Sequence, residues 1–420
     1  MDFGFGFAAT PVKPFPKNPY IHKALHIDCG IKIKGNYIDF FKLENRFDRL
    51  LEMGVDTLIL HEKWNKSQNW FELSEYTANQ ITYIVDECHK RGIKVLPYFG
   101  YELSSMSPVW NDLNKKVCVK NEDYVTPGGW WRVPFQRAYR VCYNSEYADL
   151  FIDGIAKLMD KHNIDGVYLD GTAHLHYCTN LEHGCGWYDT KGMLRGTYPV
   201  KAVQDLFERL YKAVKSRGGY INLHCSGTMN FTILPYVDQT WVGENVQFDL
   251  MHRDASDADS PDVNLDYFRA ECSGRNFGVP TEFLAYENRP LWTFEHALSC
   301  SLIHGILPRP NDIEYPLDLM SGVWKIFDNF PISISKWCPY WENKAVTTHE
   351  KVKISYYRYN SPTGKVELLA FVSNISSRSI ESVSLKFDEP VSKAFDAETM
   401  REIDFTFKIK PYGYKILYIN

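Results

Sequence analysis

Eight short apolar segments recur between residues 24 and 307, at Ala24–Cys29, Thr57–His61, Lys94–Phe99, Gly166–Asp170, Tyr220–His224, Gln239–Glu244, Thr281–Tyr286 and Ile303–Leu307. They are near-continuous apolar runs, the pattern of strands buried on both faces. Helical spacing fills the gaps, at Phe40–Met53 and at Asn79–Arg91, which Gly92 ends. It recurs at Tyr147–Met159, with Ser145 placed as a cap, and at Val200–Val214, opened by Pro199 and closed by Gly218. Further helices are expected at Leu265–Cys272, Phe294–Cys300 and Leu319–Phe327. Eight strand–helix alternations predict an α/β fold, a (β/α)8 TIM barrel over residues 21–345. A doubly wound open sheet would not need eight repeats, and no glycine fingerprint for a dinucleotide follows the first strand.

Both flanks differ from this pattern. Residues 1–20 are rich in Pro and Gly and read as an extended connector, which suggests a further domain upstream of it. After Thr347 the period falls to two, with strands expected at Val352–Tyr359, Val366–Ser373, Glu381–Phe387, Ile403–Ile409 and Tyr414–Ile419. This predicts a C-terminal antiparallel β-sandwich over residues 346–420 with a structural role. A formal net charge of -5 gives no support to nucleic-acid or anionic-membrane binding, and no apolar run is long enough to span a bilayer. The ten scattered cysteines resemble reduced, buried thiols and point to the cytoplasm; a cleaved leader would instead place the chain in the periplasm or outside the cell.

Catalytic groups of such barrels sit at the carboxyl ends of the strands. Here those positions hold Asp28, His61 with Glu62, Tyr98 with Glu102, Asp170, His224, Glu244, Tyr286 with Glu287, and Arg309. Acids at so many strand ends suit a neutral, polyhydroxylated substrate: carboxylates accept its hydroxyl hydrogen bonds, and aromatic rings stack on its apolar face. Cleavage of a glycosidic bond needs two carboxyl groups, one protonated and one ionised. Asp170, closing Ile164-Asp-Gly-Val-Tyr-Leu-Asp-Gly-Thr172, is the expected nucleophile, kept ionised by nearby Tyr or Arg donors. Glu244 is the expected proton donor, with Trp241 and the charge of Asp170 favouring its protonated form. Asp28, His61, Glu62, Tyr98, Glu102, Tyr143, His174, His224, Glu287 and Arg309 are expected to bind the sugar. Arg137 and Arg140 read as substrate ligands or as partners in structural ion pairs.

Two long loops, Gly100–Asn144 and Gly171–Tyr198, flank the strand that carries Asp170. The second holds His174, His176, Cys178, His183 and Cys185, but without paired Cys-x2-Cys knuckles. No metal and no cofactor is therefore expected, and activity should survive chelation. The partner is a carbohydrate.

The stretches Ala9–Pro14, Ile93–Glu102, Val141–Asn144, Ile164–Thr172 and His183–Trp187 together resemble the family 123-like catalytic domains among barrel-type glycoside hydrolases, over roughly residues 9–330. The resemblance implies a glycosidase and, in many members, a β-sandwich ahead of the barrel. The acids on strands four and six also resemble the retaining α-glycosidases of clan D, with the strand-four Asp as nucleophile and the strand-six acid as proton donor. Family 123 itself uses an adjacent Asp–Glu pair in substrate-assisted hydrolysis. Gly171 follows Asp170 here, which favours the two-strand arrangement. The expected function is an exo-acting, retaining hydrolase of a galactose- or N-acetylgalactosamine-like sugar. Its rivals are a substrate-assisted N-acetylhexosaminidase and a non-catalytic carbohydrate-binding barrel.

Trp130 and Trp131 follow two glycines in the first long loop, so one of them should stack on substrate. Its replacement by Ala is expected to raise KM more than it lowers kcat, because stacking binds ground and transition states alike. Wild-type kinetics in both single variants would reduce these rings to packing.

Overall fold

The structure is a computed structural model that describes residues 7–27, 31–32, 37–38, 46–122, 124–132, 135–225, 230–246, 263–285, 287 and 292–420. Side chains at 31–32, 37–38 and 129–132 lie outside that description, as do Asp28 and Tyr286 entirely. Eight parallel strands follow one another in the hydrogen-bonded order of the sequence, β1 Ala24–Ile27, β2 Thr57–Leu60, β3 Lys94–Phe99, β4 Gly166–Asp170, β5 Tyr220–Cys225, β6 Gln239–Val242, β7 Thr281–Leu284 and β8 Leu307–Arg309. The chain divides into two compact units.

The first unit comprises chiefly Ala24–Cys225 and Asn230–Gln239 and contains β1 to β5. Helices α1 Phe47–Glu52, α2 Glu75–His89, α3 Tyr147–His162 and α4 Val200–Lys215 connect them. The apolar spacing read from sequence is the buried face: α4 buries Val203, Leu206, Phe207, Leu210 and Val214. Ser74 caps α2 by accepting a hydrogen bond from Thr77 N at 3.2 Å. Ser145 does not occupy the cap position of α3, which Glu146 takes; its hydroxyl donates to Cys142 O.

Asp165 ties three strands together at their amino ends. Its carboxylate accepts from Val95 N at 2.8 Å, its own N donates to Val95 O at 3.0 Å, and its carbonyl accepts from Tyr220 N at 2.8 Å. Gly166 follows with φ +140°, and a Cβ there would lie 1.9 Å from Tyr220 O. Only glycine admits that approach.

The two long loops carry secondary structure of their own. Within 100–144, Glu102–Ser104, Gln136–Arg140 and Pro127–Arg132 form a three-stranded antiparallel sheet, and Trp110–Val117 is helical. Within 171–198, a 3-10 turn at Leu181–His183 precedes a hairpin of Trp187–Tyr188 with Leu194–Arg195.

The second unit comprises chiefly Ala9–Lys23 and Thr240–Asn420. Strand β8 lies later than the expected Ile303–Leu307, because α5 (Phe294–Leu302) runs on to that point and Gly305, at φ +69°, makes the turn. α6 spans Tyr315–Asp328, and Leu265–Cys272 is a short α-turn passing into a π-turn. At the C-terminus, β9 Val352–Asn360, β10 Val366–Asn374 and β13 Tyr414–Ile419 form the centre of a six-stranded antiparallel sheet; β11 Ile380–Lys386 and β12 Thr406–Ile409 belong to a three-stranded one. The single strand expected at Ile403–Ile409 is divided, with Glu402–Ile403 in the larger sheet and Thr406–Ile409 in the smaller. Val352, Ile354, Leu368 and Val372 share one apolar core with Val383, Leu385 and Ile409.

The segment Ala9–Lys23 has neither helix nor strand, yet it is anchored. Val12 N donates to Phe277 O at 3.0 Å, and Lys23 pairs with Asp328. The buried Tyr20 hydroxyl donates to Gly305 O at 2.8 Å and lies 2.8 Å from the Tyr357 hydroxyl, which Arg275 also contacts at 2.7 Å.

Two glycine substitutions separate backbone strain from steric clash. Gly364→Ala, at φ +80° with open space around its Cβ, should cost about 1 kcal/mol. Gly166→Ala adds collision with Tyr220 O and should cost about 3 kcal/mol or more, read from urea unfolding. Equal losses would show that the close approach at Gly166 carries no special constraint.

Candidate functional site

The parallel register sets Tyr168 against Tyr98, and Asp170 against His224. Gly171 follows at φ +64° and turns the chain immediately; a Cβ there would lie 2.0 Å from the Tyr101 ring. The Asp170 side chain is 28% exposed, and its two oxygens have different partners. His224 Nδ1 lies 3.0 Å from Oδ1, and the Tyr98 hydroxyl donates to Oδ2 at 3.1 Å. Burial alone would raise this carboxyl, but the His224 contact, the proximity of His61 and the Tyr98 hydrogen bond outweigh it and hold the group at about 2. The expected donors were Tyr or Arg; the second is a histidine.

Around this carboxylate lies a wall of rings. His61 is 5.0 Å from Tyr98 between centroids, and Tyr168 is 5.8 Å from Tyr98 and 6.5 Å from His224. Burial pushes the Tyr98 phenol well above its ordinary range, with the charges of Asp170 and Glu102 adding to it, so Tyr98 remains a donor. Glu102 is buried; its carboxylate accepts from Asn69 Nδ2 at 3.3 Å, while Asn69 Oδ1 accepts from Gly100 N at 2.8 Å. A Cβ on Gly100 would come within 2.7 Å of Glu102 and 3.1 Å of the Tyr98 hydroxyl, so glycine lets these groups converge. His26, Asn69 and Tyr168 also belong to this cluster and were missed. The available signal was a polar or hydroxylated residue inside an apolar run, as at His26 and Tyr168.

Other expected residues are placed as follows. His174 is exposed on the loop after Asp170, with its ring 5.9 Å from Tyr101, and His176 stacks on Tyr101 at 5.2 Å. Glu62 is half-buried just after His61. Tyr143 is buried, with its ring 6.0 Å from that of Phe151. Arg137 lies over Tyr139 at 5.8 Å. Trp130 and Trp131 are in strand, but their side chains, like Asp28, lie outside the described residues.

In the second unit, Glu244 is half-buried and opens a helical turn after Gly243. Trp241, expected beside Glu244, has its ring under the Arg309 guanidinium at 4.7 Å. Arg309 is fully buried and paired with Glu282, Nη2 to Oε2 at 2.6 Å. Glu287 accepts from Phe294 N at 2.9 Å, adding to the Thr293 N-cap of α5. Both groups thus carry structural contacts. A cleft of about 940 Å³ between α6 and the C-terminal sheet is lined by Leu319, Val323, Phe395 and Met400 together with Asp318, Glu367 and Glu398.

The loop read as metal-free differs from expectation. Cys178, His183 and Cys185 are joined by Cys142, from the other long excursion, with their ligand atoms all within 4.8 Å of one another. Sequence spacing alone gave three of the four.

A family described as hypothetical glycosyl hydrolase 6 matches residues 43–171, ending just after Asp170. No curated protein matches. Among solved structures, a noncanonic maltogenic α-amylase from Thermotoga neapolitana is similar at TM-score 0.62 and 13% identity, over 94% of this chain and 98% of that one. A GH27 β-L-arabinopyranosidase from Geobacillus stearothermophilus, solved with arabinose, matches at 0.59 and 11%, over 96% and 98%. A GH36 α-galactosidase from the same organism, solved with raffinose, matches at 0.59 and 11%, over 95% of this chain and 56% of that one. These likenesses show the fold, and with the family match they support a glycoside hydrolase. Family 123 and clan D rest on the sequence resemblance alone.

The depressed Asp170 carboxyl has a thermodynamic consequence. A group held at about 2 when folded and near 3.9 when unfolded adds stability above about pH 4, up to about 2 kcal/mol. That stability is lost as pH falls from about 4 to about 2. Urea unfolding of wild type and Asp170→Asn should therefore differ by an amount that is constant at neutral pH and shifts by that much through this window. A pH-independent difference would contradict the ionised, doubly bonded carboxylate.

Proposed function

We propose that this protein is an exo-acting, retaining glycoside hydrolase that removes a galactose- or N-acetylgalactosamine-like terminal sugar, with Asp170 as nucleophile and Glu244 as acid/base. The observation that carries this reading is the Asp170 carboxylate, ionised, fixed in direction by Tyr98 and His224, and partly open at a strand end. A nucleophile needs all of these properties. An arabinopyranosidase and an α-galactosidase among the similar folds support the choice of sugar.

In this mechanism a carboxylate oxygen of Asp170 attacks the anomeric carbon as Glu244 gives its proton to the departing glycosidic oxygen. A covalent glycosyl-enzyme forms. Glu244 then takes a proton from water, which displaces Asp170 and restores the original configuration. His61, Tyr98, Glu102 and His224 hold the terminal sugar, and Tyr101 with His174 and His176 offers ring faces beside it. The C-terminal sheets act as a β-sandwich that supports the barrel.

Asp170→Ala should lower kcat by about three orders of magnitude or more on every leaving group. Azide or formate should partly restore turnover and give the product of opposite anomeric configuration. Glu244→Ala should retain activity on activated aryl glycosides, whose leaving group needs no proton. Full activity of Asp170→Ala would refute the assignment. The leaving-group dependence appearing in Glu102→Gln, and not in Glu244→Ala, would move the proton donor to Glu102.

A further inference from the structure

We propose that Cys142, Cys178, His183 and Cys185 bind a structural zinc ion that pins the two long excursions of the first unit to each other. The four ligand atoms lie within 4.8 Å of one another, with Cys142 Sγ 3.6 Å from Cys185 Sγ and Cys178 Sγ 3.3 Å from His183 Nε2. A tetrahedral centre with Zn–S of about 2.3 Å and Zn–N of about 2.0 Å has ligand–ligand edges of about 3.5–3.8 Å. The two measured edges match this geometry to within a few tenths of an ångström.

The chemistry of the donors selects the ion. Three thiolates and one imidazole are a soft set suited to zinc and unsuited to magnesium or calcium. All three cysteines are at most 2% exposed and all four positions are protein atoms, so the site is closed, as structural zinc sites are. Binding takes Zn2+ from solution, releases the three thiol protons to water and leaves a centre of net charge -1. No oxidant or reductant is required.

The surrounding contacts are those that a metal-ligating loop needs. Lys116 O lies 2.7 Å from His183 Nδ1; an N–H there donates to it, so the lone pair of Nε2 is left facing the sulfurs. The Asn180 side chain donates to Lys115 O and Cys118 O at 2.9 and 3.0 Å, holding the chain between Cys178 and His183. Gly184 turns at φ +76° between two of the ligands, and a Cβ on Gly186 would lie 2.2 Å from Thr179 O. The apolar cluster here is small, Val119 with the three cysteines. Hydrophobic burial therefore gives this junction little of its own stability, and a metal would supply the rest. Cys142 ends the excursion that begins at Gly100, and Cys178 to Cys185 lie in the one that follows Asp170. The ion would join the two stretches that leave the chain beside Tyr98 and Asp170.

The test needs no substrate and stands apart from the hydrolase reading. Elemental analysis of the full chain, purified under reducing conditions without added metal, should give one zinc per chain. X-ray absorption should show three sulfurs and one nitrogen around it. Cys142→Ser and Cys185→Ser should each cut zinc content about tenfold or more, while Cys338→Ser, outside the cluster, should leave it unchanged. Should the variants fail to fold, chelated wild type answers the same question. It should become sensitive to proteolysis within 100–144 and 171–198, regain resistance on adding zinc, and take up Co2+ with the absorption of a tetrahedral thiolate site. A Cys142–Cys185 disulfide, an oxygen-rich coordination shell, or metal-free protein whose proteolysis zinc does not alter would overturn the proposal.

Discussion

The alignment of Asp170 with His224 across the β4–β5 ladder is the contact on which the rest of the site depends. Neighbours in register on parallel strands project to the same face, so the histidine reaches the carboxylate at 3.0 Å without reaching across the sheet. A slip of one residue would send Asp170 to the opposite face. The register is held at the other end of the strand, where Asp165 bonds to Val95 and Tyr220, and Gly166 lets the Tyr220 carbonyl approach. Two aspartates five residues apart thus divide the work: Asp165 fixes strands at their amino ends, and Asp170 is presented at the carboxyl end. In barrels of this kind the amino face serves stability and the carboxyl face serves chemistry.

Each unit also buries polar groups on its strands, and each resolves the cost differently. In the first, Asn222 donates to Gln239 at 2.8 Å, and His26, His61, Tyr98 and Tyr168 pack ring against ring. In the second, Glu282 and Arg309 form a buried ion pair capped by Trp241, and Thr240 meets Thr281 at 2.8 Å. A buried pair of this kind adds little net stability, but removing one partner strands a charge and costs about 3–5 kcal/mol. Arg309 is half of such a pair.

Much of this was legible in the sequence where one physical signal dominated. Lys94–Phe99 and Gly166–Asp170 were read to the residue, because an apolar run bounded by turn residues leaves little choice. The eighth strand was misplaced because Leu307-Pro-Arg309 carries a proline and only three residues, while Ile303 looks equally apolar. Of the site, His61, Tyr98, Asp170 and His224 were visible as strand ends, and the structure gathers them. Asn69 was not, since it comes from a connection with no periodicity. Glu287 was read as a strand-end acid, and in the structure it also accepts from Phe294 N, the first N–H of a helix whose N-cap is Thr293. Cys142 could not be linked to Cys178 by spacing, because the intervening helix and loops bring them together only in three dimensions.

The anchoring of Tyr20 bears on how this chain can be synthesised. Its hydroxyl contacts Gly305, 285 positions later, and Tyr357, 337 positions later. A ribosome delivers the N-terminal segment first, so Tyr20 is without these partners while most of the chain is being made. Contacts of such long range close late and slow assembly. The first unit has its five strands by residue 225 and can begin to fold while the second is still emerging. For the second, Ala9–Lys23 is held in waiting until β9 arrives, which makes vectorial synthesis an unequal process for the two halves of one polypeptide.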